Sequence, residues 1–202
     1  MMRLYDHVDC PFSQKVRIVL AEKDLEFERV PVDLHKGEQK TPEFLKLNPY
    51  GKVPVLIDED VVVYDSTIIN EYLDEEYPNP PLMPEDSAGR ARVRLLEDFC
   101  DNSFIPPSIV ILAELHKPEA ERDAERIRRC AVEMARVLAR MEGQLEGKEF
   151  LGGDFSLADA AFAPRAVILS KLGVELDPRL SNVAAWIGRL RERSSVRSLN
   201  LL

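Results

Sequence analysis

The sequence predicts an α/β domain followed by an all-helical domain, and three observations carry this prediction. Up to about residue 77, short β-like runs alternate with helical runs, which is typical of α/β folds. From about residue 87 onward, β signals nearly vanish and apolar residues recur with helical spacing. Between the two halves stand prolines at a density that no helix or central strand tolerates: Pro78, Pro80, Pro81 and Pro84. We therefore predict domains at residues 1–78 and 87–202, joined by a proline-rich linker at residues 79–86.

The first half is predicted to start with a strand, a helix, a second strand and a second helix. Residues 3–5 form a short strand candidate, and residues 11–23 have apolar side chains along one helical face. Alternating apolar positions predict the second strand at residues 27–32, which a polar loop follows at residues 33–40. Residues 42–47 have the length and spacing of a short helix.

The rest of the first half predicts a hairpin and a third helix. The apolar runs 53–57 and 61–64 flank the acidic turn 58–60, which favours an antiparallel pairing of the two strands. The third helix begins at Ser66, with apolar residues along one side. This order of elements predicts a compact mixed sheet of four strands.

A long apolar stripe with steps of three and four residues predicts the main helix of the second half. Its members are Ile127, Cys130, Met134, Val137, Leu138, Met141 and Leu145. A further helix start is predicted at Ser156, as the N-cap, with Asp159 as its capping-box partner three positions later. Trp186 is expected to pack in the core of this domain.

Composition limits the classes of function. The 202 residues carry a formal net charge of −9, which argues against a broad nucleic-acid-binding surface, so we expect no direct nucleic-acid partner. No run approaches the about 18 apolar residues of a membrane helix, and the first residues have no signal-peptide core, so we expect a cytoplasmic protein without a membrane partner. Three cysteines are too few and too far apart for a disulfide framework or a zinc site, and we expect no metal.

Cys10 is the first candidate for chemistry, because it directly precedes the first predicted helix. Unpaired N–H groups and the partial positive charge of a helix N-terminus stabilise a thiolate, which is the nucleophilic form of cysteine. Pro11 suits the first helical position. Ser13 stands where a C-x-x-C pair would have its second cysteine, so a disulfide at Cys10 would form with a small thiol. The alternative is a buried structural cysteine beside a helix cap.

Two dipeptides are candidates for binding a peptide-like ligand. Pro54 has no N–H to donate to a sheet, so the backbone near Val53 is expected to be open for pairing with an extended ligand. Asp65 and Ser66 begin the third helix, where N–H groups favour an anion and the carboxylate accepts from an ammonium. This pair would suit an amino-acid head group. The alternative is that one or both residues only cap the helix.

Two lysines are candidates for a second carboxylate of the same ligand. Lys40 and Lys52 flank the predicted loop and hairpin on one side. The alternative is that both are solvated surface charges, which is the usual state of a lysine.

These elements, in this order, resemble the cytosolic glutathione transferases along essentially the whole chain. The resemblance rests on the Cys-Pro-Phe-x start, the segment at residues 48–56, the acidic-Ser pair, the proline linker, and the Ser156-x-x-Asp159 motif. It implies a glutathione transferase fold, in which a thioredoxin-like domain binds glutathione and a helical domain follows. It also implies glutathione as cosubstrate and, usually, a homodimer.

The resemblance also implies the roles of individual residues. In this family the proline that matches Pro54 is cis, and the backbone of the residue that matches Val53 pairs with the cysteinyl part of glutathione. Asp65 and Ser66 match the pair that holds the γ-glutamyl end, where Glu is more usual than Asp. The motif also places Phe12 among the glutathione-binding residues.

The resemblance likewise indicates the type of reaction. In some classes, lysines near Lys40 and Lys52 approach the glycyl carboxylate of glutathione. Cys10 matches the nucleophile of the omega-like, cysteine-bearing classes. A cysteine at this position implies a mixed disulfide with glutathione, and hence thiol transfer, with Ser13 tuning the nucleophile. The expected function is that of a glutathione-dependent transferase or thiol-disulfide oxidoreductase, which acts on a small electrophile or disulfide.

A second resemblance gives an alternative function. Residues 17–23 and 68–84 are similar to stringent starvation protein A, a bacterial glutathione-transferase-like protein that binds RNA polymerase and is not known as a transferase. In that family a surface patch around the proline linker meets the partner, and the position of Asn79 is typically His. The resemblance implies a stress-response regulator with RNA polymerase as its partner.

Overall fold

A four-stranded mixed sheet lies at the centre of the first unit, Met1–Pro81, in the computed structural model, which describes residues 1–201. The strand order is β2-β1-β3-β4. β1 pairs with β2 in parallel and with β3 antiparallel, while β3 and β4 form the antiparallel hairpin that the acidic turn predicts. The strands are β1 (Arg3–Asp6), β2 (Glu28–Pro31), β3 (Val55–Asp58) and β4 (Val61–Tyr64). The predicted mixed sheet is confirmed.

Three α-helices accompany this sheet within residues 1–81. They are α1 (Pro11–Glu22), α2 (Pro42–Leu47) and α3 (Ser66–Glu76), and α1 packs against α3. Two predicted details were wrong. The stretch predicted as a loop contains a short 3-10 helix, Glu38–Lys40, and β3 begins at Val55 rather than at residue 53. Pro54 explains the later start, because it has no N–H to donate to a neighbouring strand.

A buried lysine ties the end of α1 to the last residues of the first unit. Lys23 Nζ lies 2.8 Å from Asp74 Oδ1, and it donates to the Tyr77 carbonyl at 2.7 Å and to the Pro80 carbonyl at 2.9 Å. Its side chain is fully buried, with 0% exposed. The ammonium thus fixes the segment that follows α3.

A second polar contact ties the β3–β4 turn to α3. Asp58 Oδ2 accepts hydrogen bonds from the hydroxyls of Tyr72, at 3.1 Å, and Tyr77, at 2.7 Å. Burial, followed by the hydrogen bond to Asp58, raises the pKa of Tyr72 to about 12. The hydrogen bond to Asp58 is the main cause that raises the pKa of Tyr77.

The second unit, from Leu82 onward, is built of helices in the residues that the structure describes. They are α4 (Ser87–Phe99), α5 (Ile105–Leu115), α6 (Ala124–Gln144), α7 (Leu157–Ala166), α8 (Ser181–Glu192) and α9 (Ser194–Arg197), with a π-helical turn at Cys100–Phe104 between α4 and α5. This confirms the predicted α/β plus all-α architecture. No helix within residues 1–201 has the length and apolar character to cross a membrane.

Asp159 organises the core of the second unit. Its carboxylate accepts from the Ser156 N–H at 2.9 Å, the Ser156 hydroxyl at 2.7 Å, the Leu151 N–H at 3.0 Å and Trp186 Nε1 at 2.8 Å. Burial raises the pKa of this carboxyl, and the four hydrogen bonds act in the opposite direction. The predicted capping box and the buried position of Trp186 are both confirmed.

Candidate functional site

Cys10 is the N-cap residue of α1 and is partly exposed. Its backbone is engaged, since its N–H donates to the His7 carbonyl at 3.2 Å and its carbonyl accepts from the Gln14 N–H at 2.9 Å. Its side chain makes no capping hydrogen bond, and Pro11 takes the first helical position. The sulfur therefore stands at the positive end of α1 without being used as a cap.

Cys10 packs against a small apolar cluster, which we call the Val53 cluster. The buried members of this cluster are Val32, Phe44, Val53 and Val55, and the partly buried residues packed against it are Tyr5, Cys10, Leu34, Leu47 and Tyr64. Two residues that the sequence singles out separately, Cys10 and Val53, are thus brought to one place. This location follows from β3 lying beside β1, whose chain leads to Cys10.

Val53 offers unpaired backbone groups within the cluster against which Cys10 packs. The Val53-Pro54 bond is cis, and both residues are buried. Among residues 1–201, neither the N–H nor the carbonyl of Val53 takes part in a hydrogen bond. Since buried backbone groups almost always have partners, this pair of groups is suited to a ligand with an extended backbone.

Asp65 caps α3 with one of its two carboxylate oxygens. Asp65 Oδ1 accepts from the Thr67 N–H at 3.0 Å and the Ile68 N–H at 3.4 Å. Its Oδ2 accepts no hydrogen bond from any residue in the described part of the chain. Asp65 is exposed and has a φ of 73°, while Ser66 is buried. The capping alternative is therefore correct for one oxygen, and the other remains open to a ligand ammonium.

The loop before β3 brings Lys40 close to the same region. Lys40 Nζ donates to the Tyr50 carbonyl at 3.2 Å, and the Tyr50 ring lies 6.0 Å from the ring of Tyr64 in the Val53 cluster. Gly51 makes this approach possible: its φ is +58°, and a Cβ there would lie 2.7 Å from the Gln39 carbonyl oxygen and 2.8 Å from Lys40 Nζ. Only glycine adopts this backbone without strain and leaves room for the lysine.

The other predicted residues have different surroundings. Lys52 is exposed, and its carbonyl accepts from Asn48 Nδ2 at 2.7 Å. Phe12 is partly exposed, with its ring centroid 6.0 Å from Lys15 Nζ. Ser13 is fully buried, and its hydroxyl oxygen accepts from the His7 N–H at 3.4 Å. Ser13 thus contacts the loop before Cys10.

Sequence reasoning missed two side chains that hold this loop. Gln14 Nε2 and Arg17 Nη2 both donate to the Val8 carbonyl, at 2.8 and 2.9 Å. The signal was present in the spacing: Cys10, Gln14 and Arg17 are four and three residues apart, which places them on one face of a helix. Within residues 1–201, no group of three or more His, Cys, Asp or Glu side chains has an arrangement that could hold a metal ion.

Comparison with known protein families gives two matches. Residues 1–75 match the model of the glutathione S-transferase N-terminal domain. Residues 124–189 match the model of the glutathione S-transferase C-terminal domain. The two matches lie in the first and the second unit.

Individual proteins match along nearly the whole chain. A stringent starvation protein A homolog from Coxiella burnetii is 36% identical over 181 residues, which cover 89% of this chain and 81% of the homolog. Glutathione S-transferase F10 from Arabidopsis thaliana is 34% identical over 193 residues, covering 91% of this chain and 89% of the relative. Among solved structures, glutathione transferase URE2P8 from Phanerochaete chrysosporium with oxidized glutathione superposes with a TM-score of 0.84 at 27% identity, covering 98% of this chain and 92% of that chain.

Proposed function

Because this chain belongs to the glutathione S-transferase family, we propose that it binds glutathione in its first unit and uses Cys10 as the nucleophile of a glutathione-dependent thiol transfer. One observation carries this proposal. The Cys10 side chain, which caps no amide, packs against the cluster that contains Val53, a buried residue whose N–H and carbonyl have no partner within residues 1–201. A tripeptide whose backbone pairs with Val53 would bring its own sulfur close to Cys10.

Glutathione offers groups that match the rest of the site. Its γ-glutamyl ammonium would donate to Asp65 Oδ2, and its γ-glutamyl carboxylate would accept from the N–H and the hydroxyl of Ser66, since the next two N–H groups of α3 already donate to Asp65. Lys40 and Lys52 would face the glycyl carboxylate, and Phe12 would cover the ligand from the first turn of α1. The solved relative with oxidized glutathione supports this choice of ligand.

The proposed reaction has two disulfide exchanges. The Cys10 thiolate attacks the glutathione sulfur of a mixed disulfide, forms a Cys10–glutathione disulfide, and releases the substrate as a thiolate that takes a proton from solvent. A second glutathione thiolate then attacks the bound glutathione sulfur, which releases the Cys10 thiolate and oxidized glutathione. Ser13 offers no second thiol, and it is buried beneath the loop, so the second thiol comes from solution.

Variants of the cysteines test the proposal directly. We expect Cys10→Ala to abolish the reduction of a glutathione mixed disulfide, and Cys10→Ser to reduce it to the uncatalysed rate. Cys130→Ser is the matched control, because Cys130 is also partly exposed, but burial raises the pKa of its thiol. Mass spectrometry of the intact protein is expected to find one glutathione on Cys10. Undiminished turnover by Cys10→Ala, or a glutathione located on Cys130, contradicts the proposal.

The lysines are tested by affinity. Calorimetric titration with glutathione is expected to give a several-fold weaker affinity for Lys40→Met and Lys52→Met than for the wild type, with a difference that shrinks at high salt. Lys46→Met, an exposed lysine on α2, is the control. Equal affinities for all three variants and the wild type remove Lys40 and Lys52 from the proposed site.

A second candidate function follows from the stringent starvation protein A homolog, which covers 89% of this chain. In this alternative the protein is an RNA polymerase-associated regulator of the stress response, without transferase activity. Co-purification with RNA polymerase together with no glutathione binding would favour the regulator. Mixed-disulfide reduction that depends on Cys10 would favour the enzyme. In either case we propose a cytoplasmic homodimer.

A further inference from the structure

The loop that leads to Cys10 is held by side chains of the helix that Cys10 begins. Gln14 and Arg17 donate to the same acceptor, the carbonyl of Val8, at 2.8 and 2.9 Å. Val8 is exposed and lies two residues before Cys10. Because the carbonyl receives two donors from α1, the position of the loop relative to this helix is fixed close to the sulfur.

Arg17 is itself held by a buried carboxylate. Its Nε lies 3.3 Å from Asp6 Oδ2, and the exposed fractions of the two side chains are 9% and 0%. Arg29 shares this carboxylate, with Nε and Nη2 donating to both oxygens at 3.0 to 3.3 Å. The Arg29 side chain is 39% exposed, so it faces solvent while Arg17 faces the loop.

The cluster of Asp6, Arg17 and Arg29 has an excess positive charge. Within these three side chains one carboxylate faces two guanidinium groups, and Asp9 adds a second negative charge that acts on Arg17. Burial lowers the pKa of Arg17, and Arg29 acts in the same direction, while Asp6, Cys10 and Asp9 raise it. Cys10 and Asp9 directly follow Val8, whose carbonyl accepts from Arg17.

We propose that Arg17 is a positioning residue for Cys10, which fixes the loop through the Val8 carbonyl and places its own guanidinium charge at that carbonyl, two residues before the cysteine. A nearby positive charge favours the thiolate, which is the form that attacks. Arg29 shares the carboxylate without contacting the loop, so it has no such role. This inference rests on the proposed function in taking Cys10 as the nucleophile.

Titratable groups in contact with this loop, among the described residues, include His7, His35 and Asp9. The Asp9 N–H donates to His7 Nδ1 at 3.3 Å, and the rings of His7 and His35 lie 6.3 Å apart. The variants compared below keep both histidines and Asp9, so these groups are common to every rate that is compared.

The test is the rate at which iodoacetamide alkylates Cys10 in the full-length protein, followed by mass spectrometry of the Cys10 peptide. We expect Arg17→Met to slow this rate about tenfold at about pH 7.5 and less than about twofold at about pH 10.5, where thiols ionise without help. Arg29→Met removes the other partner of Asp6 and is expected to leave the rate within about twofold of the wild type at both pH values.

The conservative variant and the stability of each variant complete the test. Arg17→Lys retains the charge but not the forked geometry that reaches both Asp6 and Val8, so an intermediate rate is expected. If Arg17→Met does not fold, as judged by circular dichroism, the comparison of Arg17→Lys with Arg29→Met decides. Equal rates in the Arg17 and Arg29 variants overturn the inference, even if both variants are destabilised, because a purely structural role would affect both alike.

The outcome for Arg17 is separate from the outcome for the proposed function. Slow alkylation of Arg17→Met in a protein that reduces no mixed disulfide would support the positioning role and contradict the thiol transfer. Mixed-disulfide reduction by the wild type, with unchanged alkylation in Arg17→Met, would support the thiol transfer and contradict the positioning role.

Discussion

Replacement of Lys23 by methionine is expected to destabilise the first unit strongly. Lys23 is fully buried and makes three contacts, with the Asp74 carboxylate and the carbonyls of Tyr77 and Pro80, at 2.7 to 2.9 Å. Removing one partner of a buried ion pair costs about 3–5 kcal/mol, and each carbonyl left without a donor adds to this cost. Methionine keeps most of the volume, so no large cavity contributes. We expect the free energy of unfolding to fall by about 4 kcal/mol.

A second lysine provides the control for this prediction. Lys36 forms a similar pair with Asp33 at 3.0 Å, but the two side chains are 76% and 34% exposed. Lys36→Met is therefore expected to cost less than about 1 kcal/mol. The comparison of the two variants shows whether burial of the ion pair, rather than its presence, determines the loss in the free energy of unfolding.

The assay has to report on the first unit. Trp186, the only tryptophan, lies in the second unit, so urea unfolding is followed by far-ultraviolet circular dichroism, and amide hydrogen exchange in α1 locates the loss. A loss below about 1 kcal/mol for Lys23→Met, or a loss equal to that of Lys36→Met, would refute the reasoning.

Two further predictions concern polar contacts within each unit. Tyr72 and Tyr77 have raised pKa values in the folded protein, that of Tyr72 being about 12, whereas an ordinary tyrosine titrates at about pH 10. Below about pH 10 the two tyrosines are protonated in the folded and in the unfolded protein, so their hydrogen bonds to Asp58 contribute fully to the free energy of unfolding there. Stability is lost from about pH 10 to about pH 12, and urea midpoints of the double phenylalanine variant should fall less steeply across this range than those of the wild type. Asp159→Ala leaves several buried donors without an acceptor, including Trp186 Nε1, and should lower the unfolding free energy of the second unit by about 3–5 kcal/mol. Trp186 fluorescence measures this loss, and an urea midpoint unchanged by Asp159→Ala would contradict it.

The elements of the fold were predictable because they depend on local spacing. An apolar stripe at helical spacing or an alternating run reports directly which side of an element is buried, whichever partner covers it. The strand β3 shows the limit of this reasoning, since the apolar pattern begins at Val53 while pairing begins at Val55. The chemistry of Pro54 decided this boundary.

The polar contacts that position the site were not predictable, because their partners are distant in the sequence. Most lysines and arginines lie on the surface, so residue type alone predicts that Lys23 and Lys40 are both exposed to solvent. Lys23 is buried because carbonyls more than fifty residues away meet its ammonium, whereas Lys40 is exposed. For the same reason, the sequence did not separate the buried Arg17 from the exposed Arg29.

The Asp65 carboxylate shows a further limit. Its position before α3 predicts either a helix cap or a ligand contact. In the structure, one oxygen serves the helix and the other is available to a ligand. The choice depends on the orientation of one carboxylate group, for which the sequence contains no signal.

Gly51 has a consequence for how this loop can vary in evolution. All glycine codons begin with the same two bases, and every single-base change that replaces glycine by another amino acid introduces a Cβ. At this position that atom would lie 2.7 Å from the Gln39 carbonyl oxygen, in a backbone with φ of +58°. No point mutation of the codon therefore gives a mild substitute. We expect natural variants of this protein to carry substitutions of Lys40, which contacts Gly51, more often than substitutions of Gly51 itself.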